Sequence, residues 1–193
     1  MKLPRTISDG LVNQRKGYAM SICEEGTLNS IVRTSEEPAF AVVGTLLQFV
    51  STPEQSCADL SVMRGGIPAK SIVPLHSHAD PEVFFVTQGS LEVFQDDGAS
   101  SSWQLAAVGD GITIAGGVKH ALRNSGATDV MTVLVSQGQL YRFFRELALP
   151  LSPGGTPPAP TPEVMQQLAE LAERYCYWIG TPSENAAIGI LLG

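Results

Sequence analysis

The sequence predicts an all-β domain, a sandwich or barrel of short strands, followed by short C-terminal helices. Three observations carry that prediction. From about Tyr18 to Ser136, short apolar or alternating runs recur: FAVVGTLLQFV, CADLSVM, EVFFVTQ, SLEVFQ, SWQLAAV, GITIAG, KHALRNS and DVMTVLVS. Between them stand Gln88-Gly89, Asp96-Asp97-Gly98, Gly109-Asp110-Gly111 and Gly116-Gly117, residues able to supply the positive φ values of tight hairpins. Helical periodicity appears only afterwards.

Taken in order, residues 1–39 form an N-terminal arm with short strands, and 40–137 the barrel. A helix within 138–151 packs on the barrel, because Leu140, Phe143, Phe144 and Leu147 fall at i, i+3, i+4 and i+7; Pro150 stops it. Residues 152–162, SPGGTPPAPTP, hold five prolines and two glycines and form an extended connector. Residues 163–193 are a last helix and tail. Thr161 caps that helix, Pro162 suits its first position and Glu163 complements its dipole. Val164, Leu168, Leu171 and Tyr175 share one face, which must bury against this barrel or a second copy. The tail, IGTPSENAAIGILLG, is apolar at its end and suggests no function.

A chain of 193 residues suits one domain with appendages. Its formal charge of -7 argues against nucleic acid and anionic lipid as partners, leaving a small neutral or weakly acidic ligand. Cys23, Cys57 and Cys176 are odd in number and far apart, so reduced, mostly buried thiols are expected. With no apolar leader and no stretch of about 18 uncharged apolar residues, the expected location is the cytoplasm, with no membrane contact.

The chain has three histidines, and their placement is the strongest functional signal. In PLHSHADPEVFFVTQG, residues 74–89, His76 and His78 leave the same face of an extended strand. Asp80-Pro81 should break that strand, so that Glu82 opens the next one and folds back towards the same point. His120 follows a Gly-Gly turn; if it points inward, so do Leu122 and Asn124, while Lys119 and Arg123 face solvent. Imidazole nitrogens and a carboxylate oxygen suit one divalent transition metal, and a glutamate in an apolar run is costly to bury without a counter-charge. Such ligands accept iron, manganese, nickel, cobalt or zinc alike.

Together these segments resemble the two cupin motifs. His76, His78, Glu82 and Gly89 match the first, and Gly109, Gly117, His120 and Asn124 the second, in order and with the correct gap. Two positions depart: Lys70 stands where the first motif has glycine, and Ala115 where the second has proline. The resemblance covers about residues 40–136 and implies a jelly-roll β-barrel with a metal held by His76, His78, Glu82 and His120. Locally the chain also looks like single-cupin quercetin dioxygenase-like proteins. That likeness implies a dioxygenase opening a flavonol-like or other enolisable, phenolic small molecule, with Glu82 both ligand and general base. Alternatives are a cupin isomerase or lyase on a small polar substrate, or a non-catalytic small-molecule-binding cupin. Phe84, Val86, Leu122 and Asn124 are candidates for the substrate pocket, and Met63, Phe143 and Phe144 for its mouth. A homodimer is expected, because barrel edges and apolar stripes need covering.

Overall fold

The computed structural model describes residues 31–96 and 101–192. Residues 1–30, with Cys23 and most of the predicted N-terminal arm, lie outside them, as do Asp97 and Gly98 of one predicted turn. Two antiparallel sheets face each other. The larger contains β1 (Phe40–Val42), β2 (Thr45–Ser51), β3 (Ser61–Ile67), β5 (Glu82–Gln88), β8 (Gly111–Ile114), β10 (Val130–Ser136) and β11 (Leu149–Pro150), in the order β11-β1-β2-β3-β10-β5-β8. The smaller contains β4 (Ile72–Ser77), β6 (Ser90–Asp96), β7 (Ser101–Ala107), β9 (Lys119–Arg123) and β12 (Trp178–Ile179), in the order β12-β4-β9-β6-β7. Strands three to six alternate between the sheets, as do β8, β9 and β10, which is the winding of a jelly roll.

Several predicted runs shift by a turn. FAVVGTLLQFV is two strands, because Val43 and Gly44 take φ of 47° and 81° and close a two-residue hairpin. The run beginning at Cys57 becomes a strand only at Ser61; before it, Thr52 and Gln55 form a reciprocal cap on a four-residue helix, α1 (Pro53–Ser56). Gly89, Gly109 and Gly117 have the expected positive φ, whereas Gly111 and Gly116 do not.

The main core lies between the sheets. Met63, Phe84, Val86 and Leu134 from the larger meet Leu91, Val93 and Leu122 from the smaller. Helix α2 (Gly138–Leu147) buries Leu140, Phe143 and Leu147 on this core, with Phe144 half-buried beside them. Helix α3 (Pro162–Tyr175) is capped by the Thr161 side chain, which accepts from Val164 N–H. Its Leu168, Leu171 and Tyr175 join the same core, so this part of the expected stripe is covered by its own barrel, while Val164 is not in that cluster.

The tail closes the opposite face of the smaller sheet. Leu75, Phe94, Ala121 and Ile190 form a second core cluster, with Trp103, Trp178 and Ile188 packed against it. Asn185, fully buried in the short helix α4 (Pro182–Ala187), fastens it: its Oδ1 accepts from Leu75 N–H at 2.9 Å, and its Nδ2 donates to Gly180 O and Thr181 O, each at 3.0 Å. The expectation of three reduced, mostly buried thiols is corrected: Cys57 is disulfide-bonded, and Cys176 is free but exposed. Among the described residues no helix is long and apolar enough to cross a membrane.

Candidate metal centre

His76 lies near the end of β4 and His120 is the second residue of β9; the two are direct partners across the ladder, with ring centroids 4.1 Å apart. Directly opposed antiparallel residues leave the same face of a sheet, so both rings enter the interior. His78 lies one residue past the end of β4, in the crossing from the smaller to the larger sheet and before Asp80-Pro81, so the strand stops earlier than expected and the two histidines do not share it. Glu82 is the first residue of β5 and reaches back from the opposite sheet, its Oε2 lying 3.0 Å from His120 Nε2 and 3.8 Å from His78 Nε2. One ring nitrogen from each histidine lies within 4.8 Å of the others. The predicted alternation around His120 is present: Leu122 and Asn124 are buried, while Arg123 pairs with Glu92 at 2.8 Å and Lys119 lies over the Trp178 ring. Ala121 is buried as well, because the tail covers the outer face.

The hydrogen bonds fix which nitrogen faces inward. His76 Nδ1 lies 2.8 Å from Pro74 O, His78 Nδ1 2.8 Å from Asp80 O, and His120 Nδ1 2.9 Å from Val118 O. A carbonyl only accepts, so each Nδ1 carries the hydrogen and, in the neutral ring, each Nε2 turns a lone pair to the centre. The Nε2 atoms of His78 and His120 are buried and accept no hydrogen bond. Two such lone pairs facing a buried carboxylate repel one another unless a proton or a cation sits between them. The donor set therefore fits a divalent transition metal: three imidazole nitrogens and one carboxylate oxygen, with the outer nitrogens tied to backbone.

Protonation follows the same logic. Burial pushes His76 down to about 3, the positive charge of His120 adding to the effect. His78 is lowered chiefly by burial. His120 moves the other way: burial lowers it, but the Glu82 carboxylate 3.0 Å away outweighs burial and holds it above its ordinary value. Burial raises Glu82, yet the contact with His120 and the charges of all three histidines leave its carboxyl below the usual range. The opposite shifts of His120 and Glu82 mark the pair as one that needs a positive charge between its members, which a dication would supply.

The supporting contacts were only partly visible in the sequence. Gly116 has no Cβ because the backbone of Ala79 passes there, where an added Cβ would lie 2.1 Å from Ala79 O. Next to it, Gly117 N–H donates to His78 O at 2.7 Å, joining the two histidine segments. Lys70 takes φ 63°, so the backbone keeps the left-handed conformation that glycine adopts freely, although a lysine occupies it. Sequence reasoning missed Tyr177. Its ring packs 5.1 Å from that of His78, and its hydroxyl donates to Asp80 Oδ2 at 2.8 Å; burial, then that carboxylate, raises its pKa. Asp80 is buried, and besides orienting His78 it accepts the Leu140 N–H of α2. No local pattern marks Tyr177, which follows the last turn of α3.

The predicted pocket residues have other surroundings. Phe84, Val86, Leu122 and Met63 belong to the main core, as does Phe143. Asn124 is a backbone staple: its Nδ2 lies within hydrogen-bond reach of Ile67 O, Pro68 O and Thr128 O, and its Oδ1 accepts from Gly126 N–H, which uses up the amide.

Residues 65–136 match the cupin domain family, and the match spans both histidine segments. The barrel has the cupin fold. Its fold is shared with the crystal structure of a predicted oxalate decarboxylase from Thermotoga maritima, 23% identical with a TM-score of 0.50, the likeness covering 56% of this chain and 98% of that one. It is also shared with polyketide cyclase RemF from Streptomyces resistomycificus, 14% identical with a TM-score of 0.51, over 57% of this chain and 80% of that one. At such identities the similarity establishes the cupin fold and nothing finer. No curated protein matches the sequence.

Proposed function

We propose that His76, His78, His120 and Glu82 hold one divalent transition metal, and that this cupin is an enzyme acting there on an enolisable or phenolic small molecule, as a dioxygenase. The observation that carries the reading is the set of inward Nε2 atoms, two of them buried without a hydrogen bond, gathered against a buried carboxylate. A bound ion would supply Lewis acidity, lowering the pKa of a substrate hydroxyl and fixing its oxygen in place. Glu82 would have a second capacity: with one oxygen engaged, the other would take that hydroxyl proton, and the burial of the residue supports a site that limits competing water. Asp80 and Tyr177 hold His78 in orientation.

Elemental analysis should find about one metal per chain, and oxygen uptake with flavonols and simpler enolisable phenols should disappear in Glu82→Gln. Absence of metal from protein purified and refolded with each of the five ions would refute the site. A second reading, an isomerase or lyase on a small polar substrate, is favoured by Tyr177, an inward tyrosine against His78. Metal-dependent turnover of a sugar or keto acid under strict anaerobiosis would select it over the dioxygenase.

A further inference from the structure

Deepening the reading of the metal centre, on which it rests for the reaction but not for the binding, we infer that the seam between the two sheets takes an uncharged, single-ring molecule bearing hydroxyl or keto groups. The larger sheet ends at β8 and the smaller at β7. Between these edges opens a cleft of about 380 Å³, lined by Val93, Gln95, Gln104, Leu105, Asp110 and Ile112 among others. Ligand sites run from about 300 to 1,000 Å³, so this one suits one ring rather than several.

Register ties the cleft to the metal centre. Gln95 is the direct ladder partner of His120, so its side chain leaves the same interior face. Gln104 is paired with Val93, whose side chain is buried in the core, and so projects inward too. Neither side-chain amide is hydrogen-bonded among the described residues. Each offers both a donor and an acceptor, the complement of a hydroxyl or a ketone. Val93, Ala106 and Ile112, whose side chains face the interior, offer an apolar contact for the ring. No lysine or arginine lines the cleft, and its one ionisable residue is Asp110, whose Oδ2 accepts from Ala107 N–H at 2.8 Å. Among the side chains of the cleft a carboxylate ligand would meet an acid and no counter-charge, in a chain of net charge -7.

The test is calorimetric titration, of metal-replete protein and of the same protein stripped by chelator so that no cation attracts the charged ligand, with resorcinol, which is neutral and does not chelate, and with benzoate, which has a similar ring and a negative charge. The comparison of the two ligands is read from the stripped protein. Resorcinol should bind saturably and benzoate more weakly. Gln95→Leu and Gln104→Leu should each weaken resorcinol binding about 3- to 10-fold, the loss of one hydrogen bond. Benzoate binding as tightly as resorcinol, or both leucine variants binding resorcinol as the parent does, would overturn the inference. Metal content in the same samples separates the two readings: variant-sensitive resorcinol binding in protein that takes up no metal would sink the proposed reaction and leave the cleft assignment standing.

Discussion

Gly116→Ala inserts one methyl group where two backbone segments touch, and its effect can be worked out from the structure. The new Cβ would lie 2.1 Å from Ala79 O and 3.0 Å from Ala79 C. Ordinary carbon–oxygen contact is about 3.3 Å, so the segments must part by roughly 1.2 Å. Neither side can yield by turning a side chain. Ala79 follows His78 directly, and Gly116 lies four residues before His120, so the displacement falls between two of the proposed ligands. Metal–ligand distances tolerate about ±0.2 Å, and disturbing the groups that orient ligands costs about 10- to 100-fold in affinity. Metal affinity, measured by competition with a chromophoric chelator, should fall by that factor, with about 1–3 kcal/mol of stability lost to overpacking. Gly111→Ala is the control: its Cβ would meet the edge of the Phe85 ring at 3.4 Å and Phe84 O at 4.0 Å, both close to ordinary contact, and metal affinity should not change. Affinity in Gly116→Ala within twofold of the parent would refute the reasoning, because the His78 crossing would then not be set by this contact.

Asn185→Ala should cost about 2–4 kcal/mol in denaturant unfolding, since it leaves the buried Leu75 N–H without an acceptor and removes two further bonds that hold the tail; a loss below about 1 kcal/mol would show that the tail is not fastened there. Lys70→Gly should stabilise by about 1 kcal/mol, because glycine takes a φ of 63° without the penalty a Cβ brings; thermal unfolding reads this directly. The metal-free protein should be most stable near pH 6.5. Below that value unfolded His76 and His78 take up protons that their lowered folded pKa values refuse, so stability falls with pH by at most about 1.4 kcal/mol per unit for each of them. Above it, the stability contributed by the raised His120 is lost as pH climbs through its folded pKa. Glu82, lowered, adds a loss only as pH drops below the ordinary carboxylate range. Urea unfolding across pH 4–9 checks the shape; stability that rises steadily to pH 9 would contradict it.

What the sequence disclosed follows from the range of its signals. A period of two and a proline break are local, so the shared facing of His76 and His120 and the position of Glu82 at the start of β5 could be inferred from the chain alone. Val43 was opaque because valine is not a turn-forming type, and it takes φ 47° only as part of a hairpin closed by its neighbours. Asn124 shows a different limit. Its place in a motif was plain, but motifs do not distinguish a residue that meets ligand from one that ties a loop, and four backbone contacts make it the latter.

The substrate side was the least legible part, for a topological reason. Phe84 and Val86 share a face with Glu82, which suggested an apolar slot, yet that face is where the two sheets pack and it is filled with core. Open space occurs instead where hydrogen bonding between strands stops, at the β7 and β8 edges, and no local pattern says which strands become edges. Tyr177 and the tail are set by the same long-range order, because a turn beyond α3 reaches the centre only once β12 has paired with the strand that carries His76. The proposed metal ligands therefore belong to the short-range grammar of the chain, while the groups that orient them and the space that would receive a substrate belong to its winding. A search for the substrate should start from the polar seam beside His120, where Gln95 and Gln104 project, rather than from the aromatic residues in phase with Glu82.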